Sequence, residues 1–321
     1  MMIWSALAIA VSVLVSVAAC GVYRRLAIRW QMMDIPNERS SHTQPTPAGG
    51  GLGIMLGLFV AVSVAAMNTP WPEEYSALLG LAGLLMILGV LDDRLGLPVM
   101  LRFAIYALAC CGAIGLLLWP LPVWLAALLL VYALWLLNLF NFMDGIDGIA
   151  AGEAVFACVA AAGLTHLLGG SVAYLLFCLM LAGNCLGFLV WNWAPAKLFM
   201  GDTGSVPLGF LLAGLSLFGE IPLYCWLILL AAFISDATIT LIWRALTGQR
   251  VTQAHRLHIY QRLSRHWQSH SRVVWAMTFY NVLWLAPLAM LALFQPQWAL
   301  LALFLAYLPL IALWFKAVKL P

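Results

Sequence analysis

Charge is what this sequence has least of. Asp, Glu, Lys and Arg make up 8% of its 321 residues, against about 25% in soluble domains. With 65% hydrophobic residues and a mean hydropathy of +1.01, the composition excludes a soluble globular domain and describes an integral membrane protein. A disulfide framework and a thiolate metal site are missing too. The cysteines (20, 110, 111, 158, 178, 185, 225) all lie inside apolar runs and none form a CxxC pair, so they read as small buried hydrophobes. No soluble domain, low-complexity tract or internal repeat stands out. The first apolar run has no basic segment ahead of it, and Arg24 and Arg25 follow it. It reads as a retained span rather than a signal peptide.

What the chain does have is apolar stretches, where a spanning helix needs about 20 such residues. Eleven are expected to span: 2–22, 49–67, 76–91, 100–118, 121–142, 150–166, 171–191, 205–219, 222–243, 273–294 and 297–315. The predicted fold is all-α and polytopic, a single transmembrane domain. Breaks such as "NTPWPEEY", "WPLP", "HLLGGS", "GEIP" and "QPQ" read as tight turns. Eleven spans place every Lys and Arg on one side, from Arg24, Arg25, Arg29 and Arg39 to Lys316 and Lys319. The other side has Glu73, Glu74 and Glu220 and no basic residue. The positive-inside rule makes the basic side cytoplasmic, with the amino terminus outside and the carboxy terminus inside.

The acids follow the same side. Asp34, Glu38, Asp92, Asp93, Asp144, Asp147, Glu153 and Asp202 fall in cytoplasmic loops or at cytoplasmic span ends, and Asp236 lies within the ninth span. A carboxylate at mid-bilayer costs about 2.5–3.5 kcal/mol, so acids at the rim call for a partner. Four groups stand out. In "LDDRLGLPVMLRF", Asp92 and Asp93 precede Arg102. Adjacent helical residues point about 100° apart, so both face one site only at a frayed helix end. In "NLFNFMDGIDGIAAGE", Asn138, Asn141, Asp144 and Asp147 step by three, and Gly145 and Gly148 suggest that the helix loosens near Asp144. The spacing excludes an EF-hand. In "NWAPAKLFMGDTGS", Gly201 to Ser205 open a helix whose backbone N–H groups suit an anion. Asp202 among those donors would repel bare phosphate unless a divalent cation intervened. In "HRLHIYQRL", His255, Arg256 and His258 suit phosphate oxygens. His42, in the Pro- and Gly-rich loop "NERSSHTQPTPAGGG", is placed to join them, and His166 falls on the outer side.

Together these stretches resemble the polyprenyl-phosphate N-acetylhexosamine-1-phosphate transferases. "LDDRLGL", "NLFNFMDGIDGIAAGE" and "FMGDTGS" stand in family order. "DIPNERSSHTQPTPAGGG" and "HRLHIYQRL" look most like the O-antigen-initiating branch, the latter departing from the "HIHH" of the N-acetylglucosamine starters. The resemblance implies a site on cytoplasmic loops 23–48, 92–102, 141–153, 192–205 and 244–272, in a multi-pass protein of the bacterial inner membrane. It implies that a UDP-N-acetylamino sugar reacts with undecaprenyl phosphate to give the lipid-pyrophosphate sugar and UMP. The sugar would be N-acetylfucosamine, N-acetylquinovosamine or N-acetylglucosamine. By the same resemblance Asn141 and Asp202 hold Mg²⁺, or Mn²⁺ in its place, and Asp147 meets the uracil. Asp92 and Asp93 lie where the lipid phosphate enters, Arg102 grips phosphate, and His255, Arg256 and His258 cover the sugar pyrophosphate. Gly201, Ser205 and His42 complete the substrate contacts, and Asp144 supports the metal or acts on the nucleophile. Membrane lipids and a second copy of the chain are the expected partners; nucleic acid is not.

A phosphate monoester has a second pKa near 6, so the lipid phosphate is mostly dianionic at neutral pH. Charge stabilisation should then matter more than proton abstraction. Direct in-line attack is expected, with a covalent aspartyl-phosphate as the competing route. Two other classes compete. An ion-coupled transporter places its charges at mid-membrane in repeated halves, unlike these acids. An intramembrane aspartyl protease would need a second Gly ahead of "MGD" and a Tyr-Asp partner, and the sequence has neither.

Overall fold

In a chain this apolar, the backbone N–H and C=O groups must bond within their own segment, which favours helices wherever lipid surrounds it. The computed structural model describes residues 2–36, 41–67, 69–118, 120–250 and 255–320. Glu38 and Arg39 lie outside the described residues. The helices are α1 (Met2–Arg29), α2 (Gly51–Ala66), α3 (Glu73–Leu95), α4 (Val99–Leu118), α5 (Val123–Met143), α6 (Ile149–Leu167), α7 (Val172–Asn192), α8 (Asp202–Leu217), α9 (Leu223–Leu229), α10 (Ala231–Leu246), α11 (Ile259–Trp267), α12 (His270–Tyr280), α13 (Ala286–Phe294) and α14 (Ala299–Ala317). Pro72, Pro122 and Pro222 stand at the N-caps of α3, α5 and α9, where a missing N–H costs nothing. Ser171 caps α7 by accepting from the Tyr174 N–H at 3.2 Å.

Among the described residues, eight helices are long and apolar enough to cross a membrane. Here α12, a π-turn (Asn281–Leu285) and α13 count as one. Three expected spans differ. The stretch expected at 222–243 is α9 and α10, bent by 76° at Leu230, although no Gly or Pro marks the break. Those expected at 49–67 and 205–219 are α2 and α8, 16 residues each. At 1.5 Å per residue that is about 24 Å, short of a hydrocarbon core of about 30 Å.

Their place inside the bundle explains why short helices suffice. Every residue of α8 from Thr203 to Ser216 is buried. It packs against α3 and α5. In the apolar stretches of α6 and α7, 67% of residues are buried, against 22% in α1 and α14. The fold therefore places the N-terminus of its most enclosed helix, with Asp202 at its first position, where the polar loops meet. Gly51 and Gly204 make that approach close: a Cβ on Gly51 would stand 2.0 Å from Gly204 Cα. A short antiparallel ribbon, β1 (Met33–Asp34) with β2 (Thr46–Pro47), lies alongside. It continues into the Phe199 N–H to Pro47 carbonyl bond at 2.8 Å.

Candidate active site

The ladder of polar residues at the end of α5 does loosen where the glycines suggest. Met143 is the last helical residue, Asp144 leaves the helix at φ −87°, and Gly148 turns the chain at φ +79° into α6. The Gly148 N–H donates to Asn192 Oδ1 at 2.9 Å, and Asn192 Nδ2 donates to the Leu198 carbonyl at 2.9 Å. The "DGIDG" loop is thereby tied to the 193–201 loop. Asn138 Nδ2 bonds back to the Leu134 carbonyl at 2.7 Å.

The N-terminus of α8 is not open for a substrate anion, as the sequence suggested. Asp93 fills it. Its carboxylate accepts from the N–H groups of Asp202 (3.1 Å) and Thr203 (3.2 Å) and from Thr203 Oγ1 (2.6 Å), an acid where the helix dipole favours one. Gly201, at φ +71°, permits this: a Cβ there would lie 2.6 Å from Asp93 Oδ2. Asp92 and Asp93 diverge as an intact helix requires. Asp92 turns to the Arg102 guanidinium at 2.5 Å and accepts from the Leu97 N–H at 2.7 Å. Neither acid at 92–93 is an unengaged carboxylate.

Arg102 joins this end of α3 to α8. Its Nη1 also donates to Asp202 Oδ2 at 3.1 Å. From the other side, Asn141 Nδ2 donates to Asp202 Oδ1 at 2.7 Å and to Ser205 Oγ at 3.0 Å. Residues 92, 102, 141, 202 and 205 are thus one connected network.

Two cavities of unlike character meet there. The first, of about 810 Å³, is lined by Asp34, Asp93, Asp144, Asp147 and Asp202, with His42, Gly201 and Ser205 also on its wall. His42 stacks edge-on against Phe199 at 4.8 Å. The second, of about 720 Å³, is lined mostly by apolar side chains, among them Phe103, Val131 and Trp135, with Arg102, His255 and His258. Asn141 lines both. Five of the first cavity's lining side chains are carboxylates. Among the described residues no three His, Cys, Asp or Glu side chains form a ready-made cage. Asp144 has no hydrogen-bond partner for its carboxylate among the described residues. Burial, then the carboxylates of Asp202, Asp147 and Asp93, push its pKa well above the usual carboxylate range.

The last motif is held by an acid that the sequence placed deep in the bilayer. Asp236, in α10, reaches the start of α11. Asp236 accepts from the N–H groups of Ile259 (2.9 Å) and Tyr260 (3.0 Å) and lies 3.3 Å from His258 Nδ1. It caps α11 from another helix. Tyr260 Oη then donates to the Phe142 carbonyl at 2.9 Å, fastening α11 beneath the end of α5. His255 packs on His258 at 4.8 Å between ring centres. Burial first, then His258 and Arg244, push its pKa down to about 4. The ring is therefore neutral near pH 7, and its Nδ1 accepts from the Leu257 N–H at 3.3 Å.

Arg256 is exposed and lines neither cavity. Glu153, counted from sequence among the rim acids, is fully buried and accepts from Asn281 Nδ2 at 2.5 Å. Sequence reasoning missed Asp34, Asn192, Gln261 and His270 on the first cavity. Asp34 and Asn192 stand in quoted stretches, and Gln261 directly follows "HIY". His270 lies in the 244–272 loop that the sequence assigns to the site, outside any quoted motif.

Residues 75–220 match the model of glycosyl transferase family 4. A decaprenyl-phosphate N-acetylglucosaminephosphotransferase of Mycolicibacterium smegmatis is 32% identical over 302 residues, covering 80% of this chain and 74% of the relative. A Bacillus subtilis protein named as a probable undecaprenyl-phosphate N-acetylglucosaminyl 1-phosphate transferase is 32% identical over 290 residues, covering 84% and 80%. A phospho-N-acetylmuramoyl-pentapeptide-transferase of Mycobacterium sp. (strain JLS) is 30% identical over 311 residues, covering 78% and 86%. The transporter alternative finds no support among these relatives. Their extent, and the shared region that contains the whole Arg102–Asn141–Asp202 network, make this chain a member of glycosyl transferase family 4.

Proposed function

We propose that the protein transfers an N-acetylamino-sugar 1-phosphate from a UDP-sugar to undecaprenyl phosphate, starting a lipid-linked O-antigen or related envelope glycan at the cytoplasmic face of the bacterial inner membrane. One observation carries this reading: a polar, carboxylate-lined cavity and an apolar one share Asn141 and face each other across the Arg102–Asp202 pair. A sugar nucleotide suits the first and a prenyl chain the second. The names of the relatives point the same way.

The donor set fits a divalent cation. Asp202 and Asn141 are in contact through the Asn141 amide nitrogen, and among the described residues neither Asn141 Oδ1 nor the Asp144 carboxyl has a hydrogen-bond partner. Mg²⁺ uses one or two carboxylates together with substrate phosphates, so a sparse set suits it better than a cage; Mn²⁺ would serve similarly. When bound, the cation would neutralise charge on the donor's pyrophosphate.

The chain's own residues then do the rest. Arg102 faces the apolar cavity and holds the lipid phosphate through charge-assisted bonds. His255, neutral near pH 7, adds an Nε2–H donor without adding charge. The lipid phosphate oxygen attacks the phosphorus that bears the sugar. The bond from that phosphorus to the bridging oxygen breaks, and UMP leaves with the electron pair. Direct attack is favoured over an aspartyl intermediate. Asp92 and Asp93 are already engaged by Arg102 and by the N-terminus of α8. The test uses UDP-sugar labelled in the sugar-bearing phosphate. Label should move to undecaprenyl phosphate only when lipid and Mg²⁺ are present. Label trapped on the protein without lipid would replace this route with the covalent one.

A further inference from the structure

Thr240 and Trp314 belong to none of the quoted motifs and line neither of the two cavities. A continuous run of hydrogen bonds nevertheless ties them to "HRLHIYQRL". Trp314, near the end of α14, donates from Nε1 to Thr240 Oγ1 in α10 at 3.1 Å. An indole N–H only donates, so the Thr240 hydroxyl accepts there and turns its own proton to Asp236 Oδ1, 3.2 Å away. Asp236 holds the Ile259 and Tyr260 N–H groups and lies 3.3 Å from His258 Nδ1. A carboxylate only accepts, so the His258 ring donates from Nδ1. Trp314, Thr240, Asp236 and His258 are all buried. A second strap runs from the same end of α14: Arg262 Nη1 donates to the Leu320 carbonyl at 2.6 Å, and its Nε donates to the Leu257 carbonyl at 3.2 Å.

Packing alone does not fix α11 against α14. A cavity of about 330 Å³ opens between them, lined by Leu263 and Trp267 on one side and Leu310 and Leu313 on the other. A void removes the close contacts that would hold one helix in register on the next, so directional hydrogen bonds must supply the register. Their effect reaches the apolar cavity, where His258 stands on the wall with Arg102 and His255. Given the transferase reading above, on which this rests, we infer that Trp314 and Thr240 are positioning residues that act through Asp236 to set the His258 ring where the lipid phosphate is received. Neither lines the cavity that would take the substrate. The polar-cavity side of α11 has its own anchor in the Tyr260 bond to the Phe142 carbonyl, so the relay acts on the acceptor and not on the sugar nucleotide.

The test uses purified full-length protein and three variants. Trp314→Phe keeps an aromatic ring and drops the N–H, Thr240→Val keeps the shape and drops the hydroxyl, and Thr240→Ser keeps the hydroxyl. Trp314→Phe and Thr240→Val should each raise KM for undecaprenyl phosphate about fivefold, the size of one lost hydrogen bond, and leave KM for the UDP-sugar unchanged. Thr240→Ser should stay near the wild type. The double variant should be no worse than Thr240→Val alone, since both changes break one run. Hydrogen exchange across residues 255–262, measured without substrate, should be faster in Trp314→Phe and Thr240→Val than in the wild type. A merely structural role would lower the amount of active enzyme and move neither KM; that result, an equal rise in both KM values, or unchanged exchange would overturn the inference. A wild type that releases no UMP with the lipid present would overturn the transferase reading instead, and the exchange measurement would still decide whether the relay holds the motif.

Discussion

Arg102 Nη1 lies between two carboxylates, 2.5 Å from Asp92 and 3.1 Å from Asp202. Asp92 holds the guanidinium in place, and Asp202 shares it with the polar cavity. One cation thus spans the boundary between the apolar and the carboxylate-lined chambers.

Removing it should therefore cost chemistry more than folding. Arg102→Ala should lower kcat/KM by about 10²–10³, the scale of one lost transition-state donor. Arg102→Lys should recover only part of that, because it keeps one nitrogen between the carboxylates but loses the guanidinium's other donors, which are left for the phosphate. Steady-state UMP release, with melting temperature as a fold check, measures both.

The Asp236 cap gives a stability prediction. Asp236→Ala strands two N–H groups at the start of α11 and frees His258. The cost should be about 1–3 kcal/mol, read as a lower melting midpoint in detergent. Activity should fall further than the melting shift explains, since α11 also carries Gln261 to the cavity wall.

His255 gives a pH dependence. Its folded pKa of about 4 lies below the ordinary 6.5, so the folded state favours the neutral ring. That contribution is complete above pH 6.5 and is lost as pH falls through 6.5 towards 4, where the unfolded chain takes up the proton first. Melting curves at pH 7 and pH 5 should show a smaller acid loss in His255→Asn than in the wild type. An equal loss would assign the acid sensitivity elsewhere.

The apolar cavity predicts acceptor selectivity. Val131 is exposed on its lining, and Val131→Trp would fill part of the volume. KM for undecaprenyl phosphate should rise while KM for the UDP-sugar stays unchanged. A short-chain prenyl phosphate should be less affected. A rise in both KM values would mean that the two chambers are not separate sites.

Much of this site was legible before any coordinates. Asn141 and Asp202, which the resemblance pairs, are in contact at 2.7 Å. The helix break near Asp144 followed from its glycines. What stayed hidden depends on distances through space. Asp93 and the α8 N–H groups looked like separate binding elements, yet each satisfies the other. Leu230 breaks a helix with no breaker residue, and Asp236 caps α11, a partner that the sequence does not show. His270 reaches Asp147 only because α12 packs beside α6, a contact that no local pattern encodes.

The most direct test of the two-chamber site is UMP release by purified protein given undecaprenyl phosphate, Mg²⁺ and a panel of UDP-N-acetylamino sugars, wild type beside a folded Asp202→Asn variant. The account predicts release that requires the lipid, the cation and Asp202 together. Release that persists without the lipid, or turnover unchanged in Asp202→Asn, would contradict it.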